Sequence, residues 1–124
     1  MPVRGIRGAT VAAANTPEAI SEATRELLLA LAAANALEPV DIASVIFSMT
    51  PDLTAAPPAR AARALGWTDT ALMCVAEMDA ADGLPRCIRV LIHWNTDRPI
   101  TEVRHVYLHA AAQLRPDRAS QTKA

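Results

Sequence analysis

Four arginines occupy positions where a small domain would not ordinarily place them, and they define the chemistry open to this chain. Arg7 falls within the glycine-rich run VRGIRGATV (Val3–Val11), and Arg89 within the apolar run CIRVLIHW (Cys87–Trp94). Arg60 and Arg63 share one side of a short helical stretch, ARAAR. Glu77, Cys74 and Tyr107 lie near the ends of strand-like segments. Guanidinium groups stay charged and present a fixed fork of donors, so this set suits a small polyanionic ligand. Each arginine also has a plainer explanation. Arg7 can be an edge-strand residue reaching solvent, Arg60 and Arg63 a solvated pair, and Arg89 half of an internal ion pair with Glu77 or Asp79.

Other reaction types lack their motifs. His105-x-x-x-His109 has the spacing of two helical metal ligands, but no glutamate follows His105 and no third ligand is near in sequence. Two partly exposed histidines and no metal are therefore expected. Cys74 and Cys87 lack CxxC spacing, and no Gly-rich phosphate loop or GxSxG elbow occurs. Nucleophilic and metal-assisted catalysis have no recognisable machinery.

The elements that must carry these residues follow from periodicity and punctuation. On a period of two, Arg7 shares a face with Val3, Ala9 and Val11, and Gly5 and Gly8 permit a close approach of backbone or ligand. Thr16-Pro17-Glu18 supplies an N-cap, a first-turn proline and a first-turn carboxylate. The stripe Ile20, Ala23, Leu27, Leu28, Leu31, Ala34 then predicts a helix ending near Asn35, packed on the domain's own sheet. Strands are predicted at Ile42–Met49, Ala71–Ala76 and Cys87–Trp94, with Thr50-Pro51-Asp52-Leu53 as a turn. In the last strand Cys87, Arg89, Leu91 and His93 face one way, and Ile88, Val90, Ile92 and Trp94 the other. A short helix is expected from Ala59 to Leu65, capped at Gly66. The order is then β-α-β-α-β-β, followed by a last short strand near Tyr107 and a mobile tail from about Arg115.

Size and composition bound the rest. The 124 residues predict one domain spanning 1–124, with no internal repeat or linker. Hydrophobic residues make up 52% but aromatics only 3%, so the core is built from small aliphatic side chains. A domain this size buries only roughly two-thirds of its unfolded surface, which favours association with further copies. The balance of 12 basic to 13 acidic residues argues against nucleic acid or an anionic membrane as partner. No apolar run approaches the roughly 20 residues of a membrane span. No secretory leader is recognised, so reduced thiols and a cytoplasmic location are expected.

Seven segments, in this order, carry a family resemblance: RGIRGAT (Arg4 to Thr10), TPDL (Thr50 to Leu53), ARAAR (Ala59 to Arg63), CVAEMD (Cys74 to Asp79), CIRV (Cys87 to Val90), RHVYL (Arg104 to Leu108) and LRPD (Leu114 to Asp117). Together they resemble the monofunctional chorismate mutases of the trimeric pseudo-α/β-barrel class. The resemblance implies an α+β fold with a mixed sheet flanked by helices, a homotrimer with interfacial active sites, and cofactor-free rearrangement of chorismate to prephenate in aromatic amino acid biosynthesis. It further implies that Arg89 donates to the ether oxygen of the breaking bond and Arg7 meets a substrate carboxylate. Glu77 and Cys74 match positions that meet the ring hydroxyl, and Tyr107 matches a further carboxylate contact. Ala59, Arg60, Arg63, Leu114 and Arg115 match the entrance or closing tail. Two positions depart from the family pattern: Pro57, commonly aromatic, and Arg60, commonly lysine. A second reading is a trimeric small-molecule-binding or enamine-deaminase-like protein, which accounts for Arg89 but not for Glu77, Tyr107 and Arg7 together. A third is a structural or regulatory trimer whose arginines are paired internally.

Overall fold

The computed structural model of the chain describes residues 1–79 and 83–114. Arg115 and the tail expected to be mobile lie outside the described residues. Five strands form one mixed sheet in the order β3-β2-β4-β1-β5. They are β1 (Val3–Val11), β2 (Ile42–Met49), β3 (Ala71–Ala76), β4 (Cys87–Asn95) and β5 (Val106–Tyr107). β4 runs antiparallel to both β1 and β2, whereas β3 pairs parallel with β2 and β5 parallel with β1.

Helix α1 (Pro17–Asn35) begins where its chemistry directs. Thr16 Oγ1 accepts the Ala19 amide at 3.1 Å, Pro17 occupies the first turn and Glu18 faces the positive end. It ends at Ala36 in the left-handed region, φ 54°, with the Leu37 amide donating back to Ala32 O. Burial of Leu37 holds this unfavourable backbone in place. Helix α2 (Ala59–Ala64) stops the same way: Gly66 sits at φ 96°, and the Trp67 amide returns to Ala62 O.

Both helices cover one face of the sheet. Leu27, Leu28 and Leu31 of α1 and Ala59 and Ala62 of α2 meet Ile6, Val45, Phe47, Val90, Ile92 and Trp94 from the strands. Full burial of each large aliphatic or aromatic side chain in this layer is worth roughly 1.5–3 kcal/mol. Gly8 lies in the same layer, where a Cβ would stand 2.9 Å from Leu31 Cδ1. Only glycine lets α1 approach β1 this closely.

Two buried polar residues of α1 were not anticipated from its apolar stripe. Thr24 turns its hydroxyl to Ile20 O at 2.7 Å. Asn35 donates to Leu31 O and Arg104 O and accepts the Arg104 amide at 2.8 Å. These bonds tie the end of α1 to the segment leading into β5. Short 3₁₀ turns at Pro39–Asp41, Ile100–Glu102 and His109–Leu114 complete the described chain.

The opposite face carries no α-helix among the described residues; the 3₁₀ turn His109–Leu114 packs on one end of it, against Ala9 and Tyr107. Val3, Met73 and Val75 are exposed there, and the β4 residues on this side are more accessible than those on the helix side, Cys87 excepted.

Candidate active site

Register decides which chemical groups meet. One row of paired residues crosses all five strands on the open face: Val75, Ser48, Arg89, Ala9 and Tyr107. The next row on that face sets Met73, Ile46, Leu91 and Arg7 side by side. Arg89 therefore stands at the centre of the sheet, with Arg7 diagonally across β1 and Tyr107 one strand beyond. Ala9 between them adds only a methyl group, leaving an open cavity of about 370 Å³ lined by Arg7, Arg89, Tyr107, Ser48, Ile46 and Leu91.

Tyr107 is 3% exposed, and its hydroxyl is buried without a hydrogen-bond partner among the described residues. A buried hydroxyl in this state is costly unless something meets it. Arg7 is exposed, and its backbone amide donates to His105 Nδ1 at 3.0 Å. Buried His105 thus anchors the strand at Arg7, contrary to the expectation of two partly exposed histidines. His109 is exposed and meets Glu26 Oε1 at 2.8 Å. Among the described residues no group of three candidate metal ligands comes together.

Arg89 opens onto a second cavity, of about 400 Å³, at the loop end of the sheet, where Glu77, Asp79, Thr50, Asp52, Leu84 and Cys87 form the wall. Here the ion-pair reading of Arg89 is realised: Nε lies 2.8 Å from Glu77 Oε1. The Nε–H has no aligned acceptor, so the contact is one of charge rather than an in-line hydrogen bond. Glu77 is held independently. Its amide donates to Met49 O at 2.8 Å, and Ser48 Oγ donates to its Oε2 at 3.2 Å. The Arg89 side chain is 41% exposed, so within one chain the guanidinium is half-covered rather than enclosed by the apolar run.

The remaining expected site residues lie elsewhere in the chain. Cys74 pairs with Phe47 and packs against the core on the helix side, in the row opposite to that of Arg89. Ala59 is buried at the start of α2, while Arg60, Arg63 and Pro57 are exposed on the helix side. Leu114 packs with Ala9, Tyr107 and Ala111 at the rim of the first cavity. One chain therefore brings together Arg7, Arg89, Glu77 and Tyr107, with Leu114 close by, but not Cys74, Ala59, Arg60 or Arg63.

The loop end holds a further network. Thr50 Oγ1 donates to Asp52 Oδ1 at 2.5 Å and accepts the Cys87 amide at 2.9 Å, and Asp52 Oδ2 accepts the Arg86 amide at 2.8 Å. The Thr50 hydroxyl holds the Asp52 carboxyl below its ordinary range; burial opposes it less strongly, and the Arg86 amide adds a smaller lowering. Burial pushes the Cys87 thiol up, with the nearby Arg89 charge opposing it. Neither Ser48 nor Asp52 was singled out from sequence, because their roles depend on pairing between strands.

Comparison with known proteins agrees with this geometry. Residues 3–118 match the family described as chorismate mutase type I. Chorismate mutase AroH of Thermus thermophilus is 53% identical over 116 residues, covering 93% of this chain and 95% of that protein. Chorismate mutase AroH of Bacillus subtilis is 44% identical over 118 residues, covering 94% and 93%. The structure of a chorismate mutase from Clostridium thermocellum superposes with a TM-score of 0.87 at 49% identity, over 89% of this chain and 98% of that one. With Arg7 and Arg89 on the open face of a mixed sheet, and with this likeness running nearly end to end, the chain belongs to the type I chorismate mutase family.

Proposed function

We infer that the chain converts chorismate to prephenate, as a homotrimer whose sites are completed across subunit contacts. The observation that carries this reading is the convergence of Arg7, Arg89 and the unpartnered Tyr107 hydroxyl on one cavity, in a chain that matches chorismate mutases over nearly all its length. The substrate is a dianion, and the reaction is a [3,3] rearrangement in which C–O cleavage runs ahead of C–C bond formation. It needs no base, nucleophile or metal. What accelerates it is a compressed conformer and donors aimed at the ether oxygen as negative charge develops there.

Arg89 is the donor to that oxygen. Glu77 faces Nε, which leaves the terminal nitrogens of the guanidinium for substrate, and the same carboxylate meets the ring hydroxyl, joined there by Cys74 of a neighbouring subunit, since within one chain Cys74 lies on the opposite face of the sheet. Arg7 and Tyr107 grip carboxylate oxygens. Ala59, Arg60 and Arg63, which lie on the far side of the same chain, come to the site from a neighbouring subunit, whereas Leu114 closes the cavity from within the chain that supplies Arg89. The uncovered sheet face, with Val3, Met73 and Val75 exposed beside the arginines, supports such an assembly. Enclosure there would dry the half-exposed guanidinium and strengthen its field. The enamine-deaminase-like alternative accounts for Arg89 alone and gives no role to Glu77, Tyr107 and Arg7 as a set. Incubation of purified protein with chorismate, followed by the loss of its ultraviolet absorbance, tests the activity. Conversion proportional to enzyme is expected, and a folded protein that leaves chorismate unchanged would sink the reading.

A further inference from the structure

We propose that Asp52 is a positioning residue for Arg89: through Thr50 and the Arg86 amide it fixes the backbone where β4 begins and thereby aims the guanidinium. The proposal rests on the reading of Arg89 as the donor to the reacting oxygen.

Arg86 precedes β4 and sits in the left-handed region, at φ 52°, without being glycine. A side-chain-bearing residue holds this conformation only where its surroundings over-determine it. Here the surroundings are explicit. Asp52 Oδ2 accepts the Arg86 amide at 2.8 Å. Arg86 O accepts the Ala12 amide at 2.8 Å, and Arg86 Nε donates to Ala12 O at 2.9 Å. One residue on, Cys87 exchanges two bonds with Thr50: its amide donates to Oγ1 at 2.9 Å, and its carbonyl accepts the Thr50 amide at 3.0 Å. The Thr50 hydroxyl has a single proton, committed to Asp52 at 2.5 Å, so its lone pair is turned to Cys87. Without the carboxylate, that hydroxyl is released to rotate and the Arg86 amide loses its acceptor.

Geometry makes this matter for the reaction. Arg89 lies two residues beyond Cys87 on the same face of β4, so a change in the direction of the strand at its start is carried to the guanidinium. The other member of the ion pair hangs from the same stretch of chain, since Ser48 Oγ and Met49 O hold Glu77. Residues 48–52 thus set both ends of the Arg89–Glu77 contact. A misplacement of about 1 Å in such a group can cost on the order of 100-fold in rate. Because Asp52 is exposed, its bonds add less to global stability than to local direction.

The test combines kinetics with a signature of Arg89 itself. In protein carrying ¹⁵N-labelled arginine, the Arg89 Nε–H resonance is assigned by its disappearance in Arg89→Ala. Asp52→Ala is expected to shift or broaden that resonance and to lower kcat between about 10- and 100-fold, with KM within about threefold. If Asp52→Ala does not fold, Asp52→Asn serves: it keeps an acceptor for Thr50 but opposes an amide group to the Arg86 N–H, and it should change both readouts in the same direction. An Arg89 resonance unmoved in a folded Asp52 variant overturns the proposal, as does a kcat within twofold of the parent. A parent protein that does not turn over chorismate at all would instead defeat the functional reading, and the resonance would still decide whether Asp52 aims Arg89.

Discussion

Arg89 and Glu77 come within 2.8 Å, yet the Nε–H is not directed along that line. A pair built for stability would align donor with acceptor. One in which both partners have further work can leave that alignment incomplete. Glu77 is fixed from behind by Ser48 and Met49, so it can stay in place while the guanidinium adjusts. Removal of either charge leaves the other half-buried and uncompensated.

Kinetics should separate the two arginines of the cavity. Arg89→Ala is expected to lower kcat by on the order of 100- to 1000-fold or more, because it removes charge stabilisation that develops only in the transition state. Arg89→Lys should recover only a small part, since the fork is lost. Arg7→Ala removes a grip present in substrate and transition state alike, and should raise KM at least as much as it lowers kcat. A kcat within about tenfold of the parent for a folded Arg89→Ala, under ~1.4 kcal/mol, would exclude the mechanism.

Light scattering at micromolar concentration should give three times the chain mass. Met73 is 60% exposed on the open face, so Met73→Asp should weaken the assembly and lower activity with it. A parent protein with the mass of one chain would remove the trimer.

Gly8→Ala should destabilise the protein by about 1–3 kcal/mol, read from the denaturant midpoint. The added methyl would stand 2.9 Å from Leu31 Cδ1 and 3.2 Å from both Leu27 Cδ1 and the Val106 carbonyl oxygen. The backbone contact cannot yield as a side chain can.

The two thiols should differ. Cys87 is 1% exposed, and burial raises its pKa above the ordinary 9.0, so it should resist alkylation at pH 8 until the protein unfolds. Because the folded value is the higher one, the stabilisation linked to this group is complete below about 9 and lost as pH rises towards the folded value. Half-buried Cys74 should react first. Cys74→Ser should keep much of the activity, and complete inactivation with assembly intact would reveal a covalent role.

Asp52 should shape the acid limb of stability. Its carboxyl titrates below the ordinary 3.8, so its contribution is present above that value and disappears as pH falls through the folded one. Asp52→Asn should therefore flatten the decline of melting temperature below about pH 4. An acid limb unchanged by the substitution would show that its titration is not coupled to folding.

Much of this architecture is legible in the sequence, for identifiable reasons. α1 announces its start through Thr16-Pro17-Glu18, and β3 and β4 stand out as apolar runs between punctuating residues. Periodicity along β4 also places Arg89 with Leu91 and His93. What periodicity cannot supply is register between strands. Cys74 shares a face with Phe47 and not with Arg89 only because of how β3 slides against β2. His105 resembles an exposed member of a spaced pair until β5 docks beside β1 and buries it against the Arg7 amide. Polar residues that tie distant segments, such as Asn35 to Arg104, carry no local signal at all.

The placement of β1 between β4 and β5 has a consequence for how the protein is born. The first strand to leave the ribosome can find both neighbours only after the chain has been made as far as Tyr107. Until then Ile6 and Gly8 offer α1 a seat, while the outer edge of β1 stays unpaired and open to the wrong partner. Closure must wait for a pairing nearly a hundred residues long in sequence, the kind of contact that slows folding. Arg7 and Tyr107 are joined by that closure, so the ability to bind a carboxylate between them should arise only at the last step of folding.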